Sequence, residues 1–174
     1  PAAVLERVGR KVQGHTGGQM RHDWSRLNHM QIGRYAEYFA KMHLVLLGLD
    51  VYSAEVDDRG IDFVVRQEPD RYWDVQVKSV RKLNYVFMRK EVFRLRHNLL
   101  LALVLFEEER EPDLYLIPAS RWETPDGLFV DRDYDGKASK PEYGLNLSRK
   151  RLPELDPFRF DHAGASIFGP SAPA

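Results

Sequence analysis

Asp57 to Ser79, DDRGIDFVVRQEPDRYWDVQVKS, decides the reading of this chain. Two short runs, Ile61 to Arg66 and Tyr72 to Ser79, are rich in Val, Phe, Tyr and Trp and flank the turn-prone Gln67-Glu68-Pro69-Asp70-Arg71, so they predict a β-hairpin. Side chains alternate faces along a strand. That period sets Asp62 and Val64 on one face of the first strand, and Asp74, Gln76 and Lys78 together on one face of the second. A hairpin closing symmetrically about Pro69 sets Asp62 across from Gln76, with Cβ atoms about 5 Å apart. One carboxylate, one amide oxygen and one ammonium then share a patch, close enough to hold one cation or one water.

The bulk numbers bound what that patch can belong to. A chain of 174 residues, 43% hydrophobic and 30% charged, suits one globular domain with a sizeable core. We expect an N-terminal helix or connector over 1–24, a single domain over 25–160 and an extended tail over 161–174, whose AGASIFGPSAPA is rich in small residues. No apolar run approaches a membrane span and PAAVLERVGRK lacks a secretory apolar block, so a soluble, cytoplasmic protein is expected. With no cysteine there is no disulfide-linked partner and no thiolate metal site. Any metal must use oxygen or imidazole, and His15, His22 and His29 read as surface or capping residues because no acid or histidine recurs at i+3 or i+4.

Net charge is zero, but its distribution is uneven. From Lys78 to His97 seven Lys or Arg stand against one acid, Glu91, and the acidic block Glu107 to Asp113 follows. A basic run that begins on the patch is the local field a phosphate backbone would feel, although a solvated helix face has the same composition.

Around the hairpin, Ile32, Tyr35, Ala36, Phe39, Ala40, His43, Leu46 and Leu47 recur at helical steps from Asn28, and Gly48 marks the stop. Glu37 falls at the edge of that stripe. Gly33 lies one turn before it, where a glycine costs roughly 1 kcal/mol relative to alanine; a chain or ligand passing close by would account for it. Strands are expected over Leu49 to Ala54, Tyr85 to Met88, Leu99 to Phe106 and Glu111 to Pro118, with Tyr143 to Leu147 a weaker candidate. A basic helix is expected over Lys90 to Asn98, a helical turn over Ala119 to Glu123, and a loop over Asp131 to Pro141. Tyr72 and Trp73 should fill the apolar side of the hairpin. Asp57 and Asp58 read as turn residues or further ligands, and Asp74 as the partner of a neighbouring Arg or a further ligand.

A helix carrying Glu37 in IGRYAEYFAK, then Gly60-Ile61-Asp62, then Gln76-Val77-Lys78-Ser79 resembles the PD-(D/E)XK nuclease superfamily. The pattern is closest to Holliday-junction-resolvase-like proteins and bacterial relatives with a QxK variant. The resemblance implies an α/β fold: a restriction-endonuclease-like core with a central mixed β-sheet flanked by helices. It implies a Mg²⁺- or Mn²⁺-dependent endodeoxyribonuclease in which Asp62, Gln76, the Val77 carbonyl and Glu37 hold the metal and Lys78 orients or helps deprotonate water. DNA is the implied partner, with Ser79, Arg81, Lys82, Arg89 and Lys90 near phosphate and a homodimer expected because cutting two strands needs two sites. Tyr85 and Phe87 are candidates for base stacking or for core packing. Gln76 departs from the usual Glu or Asp, which leaves two rivals: an inactive nucleic-acid-binding module of the same fold, and an interaction domain with neither DNA affinity nor metal.

Overall fold

The computed structural model describes residues 22–53 and 60–169. The N-terminal helix expected over Ala2 to Val12, His15, and the turn residues Asp57 and Asp58 lie outside them.

Asn28 starts α1 (His29–Leu46) with a capping box: its side chain accepts from the Gln31 N–H while the Gln31 side chain accepts from the Asn28 N–H. Gly48, at φ +78°, ends the helical stretch in the left-handed region. Ile32, Ala36, Phe39, Ala40 and Leu44 form the buried stripe. Leu46, expected inside, is 81% exposed, because the 100° step that carries the stripe from Ala40 to Leu44 carries Leu46 past it. Together with Met30, Tyr38 and Met42 it leaves an apolar outer face on α1.

The strands are β1 (Asp50–Ser53), β2 (Phe63–Glu68), β3 (Arg71–Val80), β4 (Tyr85–Arg89), β5 (Leu99–Leu105), β6 (Asp113–Pro118), β7 (Phe129–Arg132) and β8 (Glu142–Asn146). Five form a sheet in the order β1-β2-β3-β5-β6, with β3 and β5 parallel and the other neighbours antiparallel. This is the expected mixed sheet. Every residue of β5 is buried, which is why Leu99 to Leu105 reads as an unbroken apolar run. One set of its side chains, Leu100, Ala102 and Val104, packs under α1 with Phe63, Val65 and Val75. The other set, Leu99, Leu101 and Leu103, packs against a second sheet, β4-β8-β7, through Met88, Phe129 and Leu145.

Several expectations are corrected. Lys90 to Asn98 forms turns rather than a helix, and its Phe93 is a buried plug against Trp122. Strand β7 occupies Asp131 and Arg132, where loop was expected. Residues Phe160–Phe168 form helix α2, and Ala163 and Phe168 are buried in the core beneath α1, so this part of the expected extended tail is folded. Small residues allow that close packing: a Cβ on Gly164 would lie 3.0 Å from Leu47. Trp24, placed by the sequence in a connector, forms a 3-10 turn and is buried against Phe106. Trp73 fills the apolar side of the hairpin as expected, where it packs on Phe168, whereas Tyr72 is exposed.

Candidate active site

The hairpin register is the expected one, Phe63 opposite Val75 and Val64 opposite Asp74, with a shift only near the turn. Strand β2 begins at Phe63, while β3 runs on to Val80 with β5 alongside. Beyond Val75, therefore, β3 is strand-paired on one side only among the described residues. Asp62 sits at this point of separation. Its N–H donates to the Val75 carbonyl at 2.9 Å, and its carboxylate accepts from the Val77 N–H at 2.5 Å. The N–H and C=O of one strand residue point the same way, so the Val77 carbonyl is directed to the side where Asp62 lies.

The polar residues of β3 share the face opposite α1 and differ in what they hold. Asp74 pairs with Arg96 at 2.5 Å, as the sequence suggested. Gln76 is 6% exposed, and its Oε1 has no hydrogen-bond partner among the described residues. Such an orphan costs about 1–3 kcal/mol. The other buried orphan, Gln67 Oε1, belongs to an amide whose Nε2 donates to the Phe168 carbonyl at 2.6 Å. Gly60, at φ +70°, makes room for Gln76: an added Cβ would lie 3.0 Å from Gln76 Nε2 and 2.9 Å from Val92 Cβ. The glycine beside Asp62 is thus required twice, by its backbone angle and by its neighbours.

Lys78 is half-buried, makes no ion pair among the described residues, and lines a groove of about 810 Å³ with Ser79, Lys82, Tyr85 and Phe87. Glu37 arrives from the other face. Arg81, just past the end of β3, donates to the Leu27 carbonyl at 2.8 Å, and the Lys41 ammonium lies 5.2 Å from the centre of the Phe63 ring. Between these two anchor points α1 runs antiparallel to β3, which brings Glu37, one turn before Lys41, level with Asp62 and Val77. Its carboxylate is half-buried and paired with Arg34 at 2.6 Å. Among the described residues nothing approaches Gly33: a Cβ there would meet no atom within 4 Å.

The expected phosphate contacts divide by what they already hold. Lys90 sits 2.5 Å from Asp131 and 2.6 Å from Asp133, over the Tyr143 ring. Burial opposes its charge, but the two carboxylates hold its proton more tightly than in an ordinary lysine. Arg81 ties down the Trp24 turn, and Arg89 is 3.6 Å from Glu91. Lys82 is exposed and makes no ion pair among the described residues. Ser25 and Glu108 complete the groove from distant parts of the chain, and no local sequence signal could have placed them there.

The oxygens at the open end of β3 suit a hard divalent cation: one carboxylate, one buried unpartnered amide oxygen and one backbone carbonyl. They are few in charge. Among the described residues there is no cluster of three or more His, Asp or Glu arranged to hold a metal.

No protein-family model matches this sequence, and no curated protein sequence does. Among solved structures, the bacterial homing endonuclease I-Ssp6803I is similar, with a TM-score of 0.52 at 20% identity, covering 83% of this chain and 94% of that one. The Holliday junction resolvase Hjc of Archaeoglobus fulgidus, an archaeal hyperthermophile, matches with a TM-score of 0.43 at 10% identity, covering 70% and 88%. A shared fold is what such identities establish. The mixed sheet, its flanking helices and the overlap with the homing endonuclease show that this chain shares a nuclease fold.

Proposed function

We propose that the chain is a metal-dependent endonuclease that hydrolyses DNA phosphodiester bonds. The observation that carries this reading is the buried, unpartnered oxygen of Gln76, one residue before the Val77 amide that fixes the Asp62 carboxylate. A fold loses stability by leaving such an oxygen without a partner, and a Mg²⁺ or Mn²⁺ ion would supply one. Asp62, Gln76 and the Val77 carbonyl would hold that ion, and Glu37, level with them on α1, would assist directly or through water. A divalent cation bound there would neutralise phosphate charge and make a water more acidic. Lys78, on the same face as Gln76 and without a carboxylate partner among the described residues, would orient the attacking water against the phosphate. The similar homing endonuclease is an endonuclease by its own description, which agrees with this reading. No helix of the described residues is long and apolar enough to cross a membrane, and a cytoplasmic enzyme completes the proposal.

A second reading has an observation of its own. Gln76 is neutral and no three acids meet among the described residues, which favours an inactive nucleic-acid-binding module of the same fold. Cleavage of supercoiled, linear, flapped and four-way-junction DNA in Mg²⁺ and Mn²⁺ separates the two. The enzyme reading expects cleavage that is lost in Asp62→Ala and in Lys78→Ala; activity surviving both substitutions overturns it. Binding without cleavage at any cation concentration selects the second reading. Cutting both strands needs two such sites, so a homodimer belongs to the enzyme reading. The exposed Met30, Tyr38, Met42 and Leu46 offer α1 as apolar surface for it, and sedimentation equilibrium reads it out.

A further inference from the structure

The groove that holds Lys78 has a second wall that hydrolysis alone does not require. On β4, Val86 and Met88 point into the core, and Tyr85, Phe87 and Arg89 point outward over Gly144 and Glu142 of β8. Tyr85 lies flat because Gly144 has no side chain: an added Cβ would run into its ring. Its hydroxyl donates to Glu142 Oε1 at 2.8 Å, the same oxygen accepts from Tyr134 at 2.7 Å, and the Arg132 guanidinium covers the ring at 4.3 Å. Burial first, and then the Glu142 carboxylate, push the Tyr85 phenol above its ordinary pKa, so this anchor stays protonated.

Beside this fixed ring, Phe87 lies nearly parallel at 18°, with centroids 6.5 Å apart, and is 46% exposed. A phenylalanine with no polar atom gains nothing from water. It is held open on the lip of a groove whose cations, Lys78, Arg81 and Lys82, outweigh its one acid, Glu108. Anionic backbone and aromatic base are the two surfaces this wall complements. A base inside a continuous duplex has both faces covered by its neighbours, and opening that stack costs energy, so Phe87 stacks most readily on a base already out of the helix. The groove volume lies within the range of clefts that enclose a small ligand.

Resting on the nuclease reading of the same site, we propose that the substrate carries an unpaired nucleotide next to the phosphate facing Lys78. Phe87 stacks on that base and Lys82 holds its backbone. The partner is single-stranded DNA, or a gap or flap in a duplex, in preference to continuous duplex.

Binding measured in EDTA tests this apart from cleavage, so failure here leaves the hydrolase reading to its own assay. Oligonucleotides carrying 2-aminopurine are titrated with wild type, Phe87→Ala, Phe87→Leu and Phe87→Trp. Wild type should prefer single-stranded and gapped oligonucleotides to the matched duplex and quench the 2-aminopurine. Phe87→Ala and Phe87→Leu should both weaken single-strand binding by roughly ten-fold and abolish quenching, whereas Phe87→Trp should retain it. Lys82→Ala should lower the slope of log affinity against log salt by about 0.7. Phe87 is half exposed, and unchanged thermal melting of the variants excludes misfolding as the cause. Equal affinity of wild type and Phe87→Ala for the single strand overturns the proposal, as does preference for the intact duplex.

Discussion

The two halves of β3 are one strand with one alternating pattern, yet they treat their polar residues differently. From Arg71 to Val75 the strand is paired with β2, with β5 joining on the other side from Asp74, and its acid, Asp74, is closed off by Arg96. From Gln76 onward β2 is absent, and among the described residues an amide oxygen is buried without a partner and Lys78 has no carboxylate. Asp74 and Lys78 lie on the same face, two alternations apart. The first half is what a sheet needs to be stable. In the second, polar groups have been withheld from the fold, the condition in which they are available to something else.

The comparison breaks most visibly if the halves are exchanged in effect. Lys78→Ala should lower DNA cleavage by about 10²–10⁴-fold and leave stability within about 0.5 kcal/mol. Asp74→Ala should do the reverse, costing roughly 1–3 kcal/mol in urea unfolding because Arg96 loses its charged partner, with cleavage little changed. Gln76→Glu sharpens the contrast. A second carboxylate beside Asp62 should destabilise the cation-free protein by about 1–3 kcal/mol at neutral pH, and Mn²⁺ should restore the loss; thermal melting with and without the ion reads both.

Smaller effects bear on the surroundings of the open end. Gly33→Ala should stabilise α1 by about 0.5–1 kcal/mol, since no atom of the described residues approaches the added methyl. Unchanged cleavage in that variant is expected; a fall would mean that substrate passes over the helix side of the notch. Asp126 is a second acid that the fold has closed off. Burial works to raise its pKa, but the N–H groups of Phe129 and Leu128, with Arg121, hold it below the ordinary 3.8. A carboxylate depressed on folding contributes stability above its unfolded pKa and loses it as pH falls through the folded value. Asp126→Asn should therefore flatten the stability profile below about pH 4 and leave it parallel to wild type above; denaturant midpoints across that range check the sign.

How far the sequence reached follows the same divide. The hairpin register, the start and stop of α1, the buried β5 run and the pairing of Asp74 with an arginine follow from local periodicity, strict alternation or charge, and they were legible. That β2 would start only at Phe63, leaving Ile61 and Asp62 off the strand, was not, because a strand's end depends on its neighbour's length. Helix α2 was misread since its small residues matter for close packing under α1 rather than for propensity. Lys90 looked like a phosphate contact until Asp131 and Asp133, some forty residues away, were brought beside it. Motif spacing named Asp62, Gln76 and Lys78. It carried no sign that Gln76 would be buried without a partner.

Mn²⁺-induced broadening of backbone amide signals tests the central claim most directly. The account predicts that Asp62, Gln76 and Val77 broaden first at low Mn²⁺, and that Asp62→Asn removes the effect while the rest of the spectrum is retained. Broadening centred elsewhere, or unchanged in Asp62→Asn, would contradict it.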